Sequence, residues 1–244
     1  MMNILLLLVA ALLPVVLLLL YIWKKDPIKE PTSWLVKAVV WGAAMCIPVA
    51  FIEVGVQTAL FGEGGPTSLI DTTTMAFLVA ALPEEACKLL VLWWLLRKNP
   101  YFDEHVDGIV YAVFVGLGFA AIENVSYLLD GGDDWAGVAV SRALLAVPGH
   151  YAFAILMGYY YSLYHFVDRS KKTAILCLLV PFVAHGIYDA LAMSSLVNPV
   201  VGGLCFFVLI YFCVKMHKVA KRKLEEHLVR DAGESPESPS NTCV

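Results

Sequence analysis

Ala80-Ala81-Leu82-Pro83-Glu84-Glu85-Ala86-Cys87-Lys88 sits inside an apolar run that extends from residue 71 to residue 96. A charge near the centre of a bilayer costs on the order of 2.5 to 3.5 kcal/mol, so ionisable groups in a spanning helix face a protein interior and mark function. Whether this run is a span therefore decides the fold. The chain is 60% hydrophobic and 16% charged, with a mean hydropathy of +0.75, and such a composition needs a membrane as its solvent. Seven apolar segments can be drawn, at 2–23, 34–61, 71–96, 107–129, 139–163, 174–194 and 199–216, each near or above the ~20 residues that a spanning helix needs. They are continuous rather than alternating, which predicts an all-α, polytopic transmembrane helical bundle of about seven spans and not a barrel.

The first segment has no basic residues before it, is too long for a signal-peptide core and is followed by Lys24 and Lys25, so it reads as a retained span. Apart from Lys88 and Arg142, every Lys and Arg lies in or beside alternate connections, and the connections at 62–70, 130–138 and 195–198 contain none. The positive-inside rule then puts the N-terminus outside and the C-terminus in the cytoplasm, which agrees with an odd number of spans. The expected organisation is two N-terminal helices in 1–70, a four-helix core in 71–194, a last span with a basic cytoplasmic extension in 195–226, and a polar, Pro- and Ser-rich disordered tail in 227–244. The six cysteines show no metal-binding spacing and read as small buried residues. No nucleic-acid-binding patch or phosphate-binding loop is visible, and the expected surroundings are the lipid bilayer.

Four of the segments carry polar groups that lipid would reject. At about 100° per residue, Lys88 projects about 40° from Glu84 and between Glu84 and Glu85, so one ammonium can reach either carboxylate. This arrangement makes one carboxylate a base or ligand and the other a proton donor, while Pro83 can kink the helix beside the pair. The next segment holds Glu123 and Asn124 on a helix whose Glu123 face includes Gly116 and Ala120, small residues that permit close packing. The following two supply His150, in Pro148-Gly149-His150, and His185 with Asp189 four residues later on the same face. By the expected topology and ~1.5 Å per residue, Glu123 and Asp189 lie roughly 8 to 9 Å inside the outer boundary, the histidines roughly 14 to 16 Å, and Glu85 about 20 Å. Buried ion pairs that only fixed helix register would have no reason to coincide in depth.

At least three carboxylates with two imidazoles are the inventory of a zinc hydrolase: three N/O ligands, an open position for water and a spare carboxylate as base. The expected assignment is Glu123, His150 and His185 on one divalent metal, most simply zinc. Glu84 or Glu85 takes the proton from water, and Lys88 tunes that base or binds the oxyanion. Asp189 and Asn124 are the expected supporting residues. No H-E-x-x-H pair is present. A proton-coupled transporter is the competing class, since Asp, Glu and His chains also build proton relays, but no inverted repeat is evident.

The ordered motifs E-E-A-C-K at 84–88, G-F-A-A-I-E-N at 118–124, P-G-H with M-G eight residues later at 148–158, and H-G-I-Y-D at 185–189 resemble the PrsW family of intramembrane proteases. The resemblance covers about half of the chain, 71–194. The family looks related to the type II CAAX prenyl endopeptidases and bacteriocin-processing proteins. It implies a multi-pass protease of the bacterial inner membrane, usually described as a metalloprotease. Its implied action is the first, outer-side cut of a single-span membrane protein, an anti-sigma factor in stress signalling. The family's catalytic glutamates then fall on Glu84 and Glu85, and its histidines on His150 and His185. The motif leaves open whether a metal or a glutamate activates the water.

Overall fold

The computed structural model describes residues 4–62 and 65–234, and among them there are helices and no strands. The elements are α1 (Ile4–Lys25), α2 (Thr32–Ala44), α3 (Cys46–Phe61), α4 (Leu69–Thr74), α5 (Leu82–Leu96), α6 (His105–Asp130), α7 (Trp135–Ser141), α8 (Val147–Ser162), α9 (Lys171–Met193) and α10 (Pro199–Glu234). Among the described residues, six helical runs are long and apolar enough to cross a membrane. The seventh expected segment is the run from α4 through α5, in which Asp71 caps the start of α4 and the α5 charges Glu84, Glu85 and Lys88 are buried rather than turned to lipid. Large apolar side chains cover the outside, among them Phe51, Ile70, Val200 and Phe207.

Helix α6 is the hub. It is buried continuously from His105 to Ala120 and packs against α8, α2 and α1, while α9 packs against α8. The α6–α8 contact is backbone to backbone, because a Cβ on Gly158 would overlap the Gly108 carbonyl and the first atoms of Ile109. Small residues at such positions let helices approach closely where lipid supplies no hydrophobic drive for association.

Prolines set the irregular turns. Each proline removes an N–H and pushes away the carbonyl four residues back. Pro48 acts in this way on Ala44, where the expected continuous span 34–61 breaks into α2 and α3 at Met45. Pro83 acts on Val79, inside the π-helical turn Met75–Ala81 that joins α4 to α5, and Pro148 acts on Leu144, inside the π-helical turn Arg142–Ala146 that joins α7 to α8. Two of these three proline-linked irregularities thus lie one turn before residues of the polar cluster. π-Turns are frequent at functional sites for this reason.

The last helix differs from expectation. Beyond the apolar segment 199–216 and its basic extension to 226, α10 continues to Glu234, so residues 227–234, read from the sequence as the start of a disordered tail, are helical. His227 Nε2 donates to the Tyr159 carbonyl at 3.1 Å, and Asp231 accepts from the backbone N–H groups of His105 and Val106 at 2.9 and 2.8 Å. Those contacts hold the helix against α6 and α8 beyond the apolar segment. Residues 235–244 of the expected tail lie outside the described residues.

Candidate active site

Glu84, Glu85 and Lys88 occupy the first two turns of α5, directly after the π-helical turn and Pro83. Lys88 Nζ donates to Glu84 Oε2 and to Glu85 Oε1, both at 2.8 Å, and it lies 4.3 Å from the centre of the Phe119 ring on α6. One ammonium therefore serves both carboxylates, as the helical spacing predicts. From α8, His150 Nδ1 comes within 3.3 Å of the same ammonium. His150 Nε2 lies 2.7 Å from Glu123 Oε2 on α6. From α9, His185 is held between two carboxylates, with Nδ1 hydrogen-bonded to Glu85 Oε1 at 2.9 Å and Nε2 3.2 Å from Asp189 Oδ2. The Phe153 ring stacks on its imidazole, with centroids 4.7 Å apart.

All the side chains picked out from the sequence thus meet, drawn from α5, α6, α8 and α9. Five of them, Glu84, Glu123, His150, His185 and Asp189, line one wall of a cavity of about 990 Å³. Glu85 and Lys88 do not reach the cavity and stand behind that wall. This separates two adjacent glutamates that periodicity alone leaves equivalent.

One carboxylate oxygen of Glu84 and one ring nitrogen each of His150 and His185 lie within 4.8 Å of one another, and all three residues are buried. A carboxylate and two imidazoles at such spacing are a donor set that fits a divalent metal of the zinc class. The group contains Glu84 and not Glu123. Glu123 sits instead between His150 and Arg142, whose Nη2 is 3.1 Å from Glu123 Oε2. Asn124, expected beside Glu123, donates through Nδ2 to the Ala11 carbonyl at 2.9 Å and accepts from Arg142 Nε, so it ties α1 and the π-helical turn to α6.

Arg142 is the functional neighbour that the sequence reading passed over. Its guanidinium bonds Asn124, approaches Glu123 and lies over the Tyr127 ring at 4.1 Å. The available signal was its position as the one Arg or Lys within segment 139–163. Glu53 of α3 was missed in the same way and also lines the cavity.

The family model for "PrsW family intramembrane metalloprotease" matches residues 30–216. Protease PrsW of Geobacillus kaustophilus is 37% identical over 188 residues, which cover 76% of this chain and 79% of the relative. Protease PrsW of Oceanobacillus iheyensis is 38% identical, covering 74% and 80%. Protease PrsW of Clostridioides difficile is 31% identical over 89% of this chain and 90% of its own length. No solved structure matches the chain significantly.

Proposed function

The chain belongs to the PrsW family of intramembrane proteases and is a multi-pass protein of the cell membrane, and from that premise we propose that it cuts a membrane-anchored protein inside the polar-walled cavity. The observation that carries this reading is the convergence of Glu84, Glu123, His150 and His185 on one wall of a 990 Å³ cavity, with Lys88 bound to Glu84 from behind.

Glu84 is the central group. Lys88 fixes its Oε2, and the other oxygen is the acceptor for the proton of the attacking water. Glu85 offsets the Lys88 charge and orients His185 through Nδ1. His185, gripped between Glu85 and Asp189, holds a proton for the departing amine.

Glu84, His150 and His185 are also the residues that would hold a divalent metal, most simply zinc. Bound there, it would acidify a water and polarise the scissile carbonyl. When Glu84 serves as a ligand, Glu123, within hydrogen-bond distance of His150 Nε2, is the cavity carboxylate assigned to take the proton. Loss of Glu84 removes activity in either chemistry.

The positive-inside orientation puts the cavity toward the outer face, so the expected substrate is a single-span protein cut on that side. An anti-sigma factor is the substrate that the family resemblance implies. The apolar cavity wall from α3, including Ile47 and Phe51, suits an unwound membrane segment entering from the lipid. The test is reconstitution of the purified chain in liposomes with a single-span reporter tagged at both ends. Cleavage within the outer third of the reporter span supports the proposal. Proton-dependent flux without proteolysis replaces it with the transporter reading.

A further inference from the structure

A second group of buried carboxylates lies roughly 24 Å along α6 from Glu123, where the turn between α1 and α2 meets the start of α6. Asp26 Oδ2 accepts from the Glu30 N–H at 3.3 Å. Asp107 Oδ2 accepts from the N–H groups of Asp103 and Glu104 at 3.1 and 2.8 Å. The Glu104 side chain accepts in return from the Asp107 N–H, closing a capping box around the helix start. Each of the three carboxylates therefore commits one oxygen to the backbone.

The other oxygens, Asp26 Oδ1, Glu104 Oε2 and Asp107 Oδ1, are buried and have no hydrogen-bond partner. Asp26 is 1% exposed and Asp107 0%. One oxygen from each of the three residues lies within 4.8 Å of the others. Glu30 stands beside them, 6% exposed, and accepts from the Tyr111 hydroxyl. Among the described residues no lysine or arginine is paired with any of these four carboxylates. Lys29 turns its ammonium to the carbonyls of Trp23 and Asp26. Lys29 is the nearby cation and acts on Asp26 through space, while Glu30, Glu104 and Asp107 have no paired cation among the described residues, and buried carboxylates are strongly destabilising unless a counter-charge faces them.

We infer that Asp26, Glu104 and Asp107, flanked by Glu30, bind a hard divalent cation, Mg²⁺ or Ca²⁺, that ties the α1–α2 turn to the head of α6. The chemistry selects the ion class. The site offers only oxygens, the donors of Mg²⁺ and Ca²⁺, and lacks the nitrogen and sulfur that would favour zinc or copper. Oxygens at the usual ~2.4 Å from Ca²⁺ can stand up to ~5 Å apart across the ion, which accommodates the observed spacing. The site is separate from the cavity, so the inference stands whatever the cavity binds. Its competitor is a proton shared between neighbouring carboxyl groups.

The experiment uses the full chain, stripped with a chelator and titrated with MgCl₂ and, separately, CaCl₂ by calorimetry, with thermal unfolding followed alongside. Saturable uptake of one ion with a raised Tm is expected. Both effects should be lost, or weakened at least about tenfold, in Asp26→Asn and in Glu104→Gln, because ligand charge sets affinity in such sites. His185→Ala, which alters only the cavity, should keep both. The Asn and Gln side chains retain an oxygen for the backbone N–H, which preserves the turn and the helix cap. A wild-type chain that takes up neither ion and gains no Tm, the result a shared proton would give, overturns the inference. So does an unchanged response in both variants.

Discussion

Lys88 Nζ stands 3.3 Å from His150 Nδ1. An ammonium only donates, so Nδ1 is the accepting nitrogen and Nε2 carries the ring proton toward Glu123, 2.7 Å away. A residue at the first turns of α5 thus sets the tautomer of a histidine on α8, and through it the partner of a glutamate on α6. The polar cluster is one connected chain from Glu85 to Arg142, not a set of separate pairs.

Replacing Lys88 by Met should therefore cost more than one ion pair. Glu84 and Glu85 would remain buried without their shared donor, a change worth about 3 to 5 kcal/mol when one partner of a buried pair is removed. Thermal unfolding in detergent should show a clear fall in Tm together with loss of cleavage. A Tm equal to wild type would show that the ammonium contributes nothing to holding the two carboxylates.

Arg142→Lys tests the planar fork that reaches Asn124 through Nε and Glu123 through Nη2. A lysine offers one compact charge and cannot reproduce both contacts. Cleavage should fall by about tenfold to a hundredfold, the scale seen when the partner that orients a site residue is lost. The fall should appear mainly in kcat through Glu123, with a smaller drop in Tm from the lost Nε bond to Asn124 that ties the π-helical turn to α6.

The overall bundle was legible because a charge in a continuous apolar run has one tolerable location, and that argument placed Glu84, Glu123, His150 and His185 together. Their exact partners were not legible. Helical periodicity puts Glu84 and Glu85 on neighbouring faces, and only the π-helical turn before Pro83 decides that Glu84 faces the cavity and Glu85 stands behind it. The metal-fitting triad took Glu84 in place of Glu123 for the same reason: Arg142, supplied by another irregular turn, draws Glu123 toward itself. The extension of α10 escaped notice because its anchors, His227 and Asp231, look like ordinary residues of a polar tail until α6 and α8 are beside them.

The backbone contact between α6 and α8 gives a prediction about packing alone. Gly158→Leu should drive a side chain into the Gly108 carbonyl and cost roughly 1 to 3 kcal/mol or more, with poor yield of folded protein. Gly203→Ala, where a Cβ meets nothing within 4 Å, is the matched control and should unfold like wild type.

Metal content separates the two chemistries open to Glu84. Elemental mass spectrometry on purified wild type and on His185→Ala should find about one zinc-class metal per chain in the first and none in the second. Wild type that cleaves its reporter after complete removal of such metals would assign the water's proton to Glu84 acting directly.

The most direct test of the central claim is cleavage of a single-span reporter in liposomes by Glu84→Gln, a change of a few atoms in a residue that lines the cavity. The account predicts that the variant folds and reconstitutes but loses at least about a hundredfold in cleavage rate, the order expected when a proton acceptor is removed. Cleavage at the wild-type rate would contradict it, because no chemistry assigned to this cavity proceeds without Glu84.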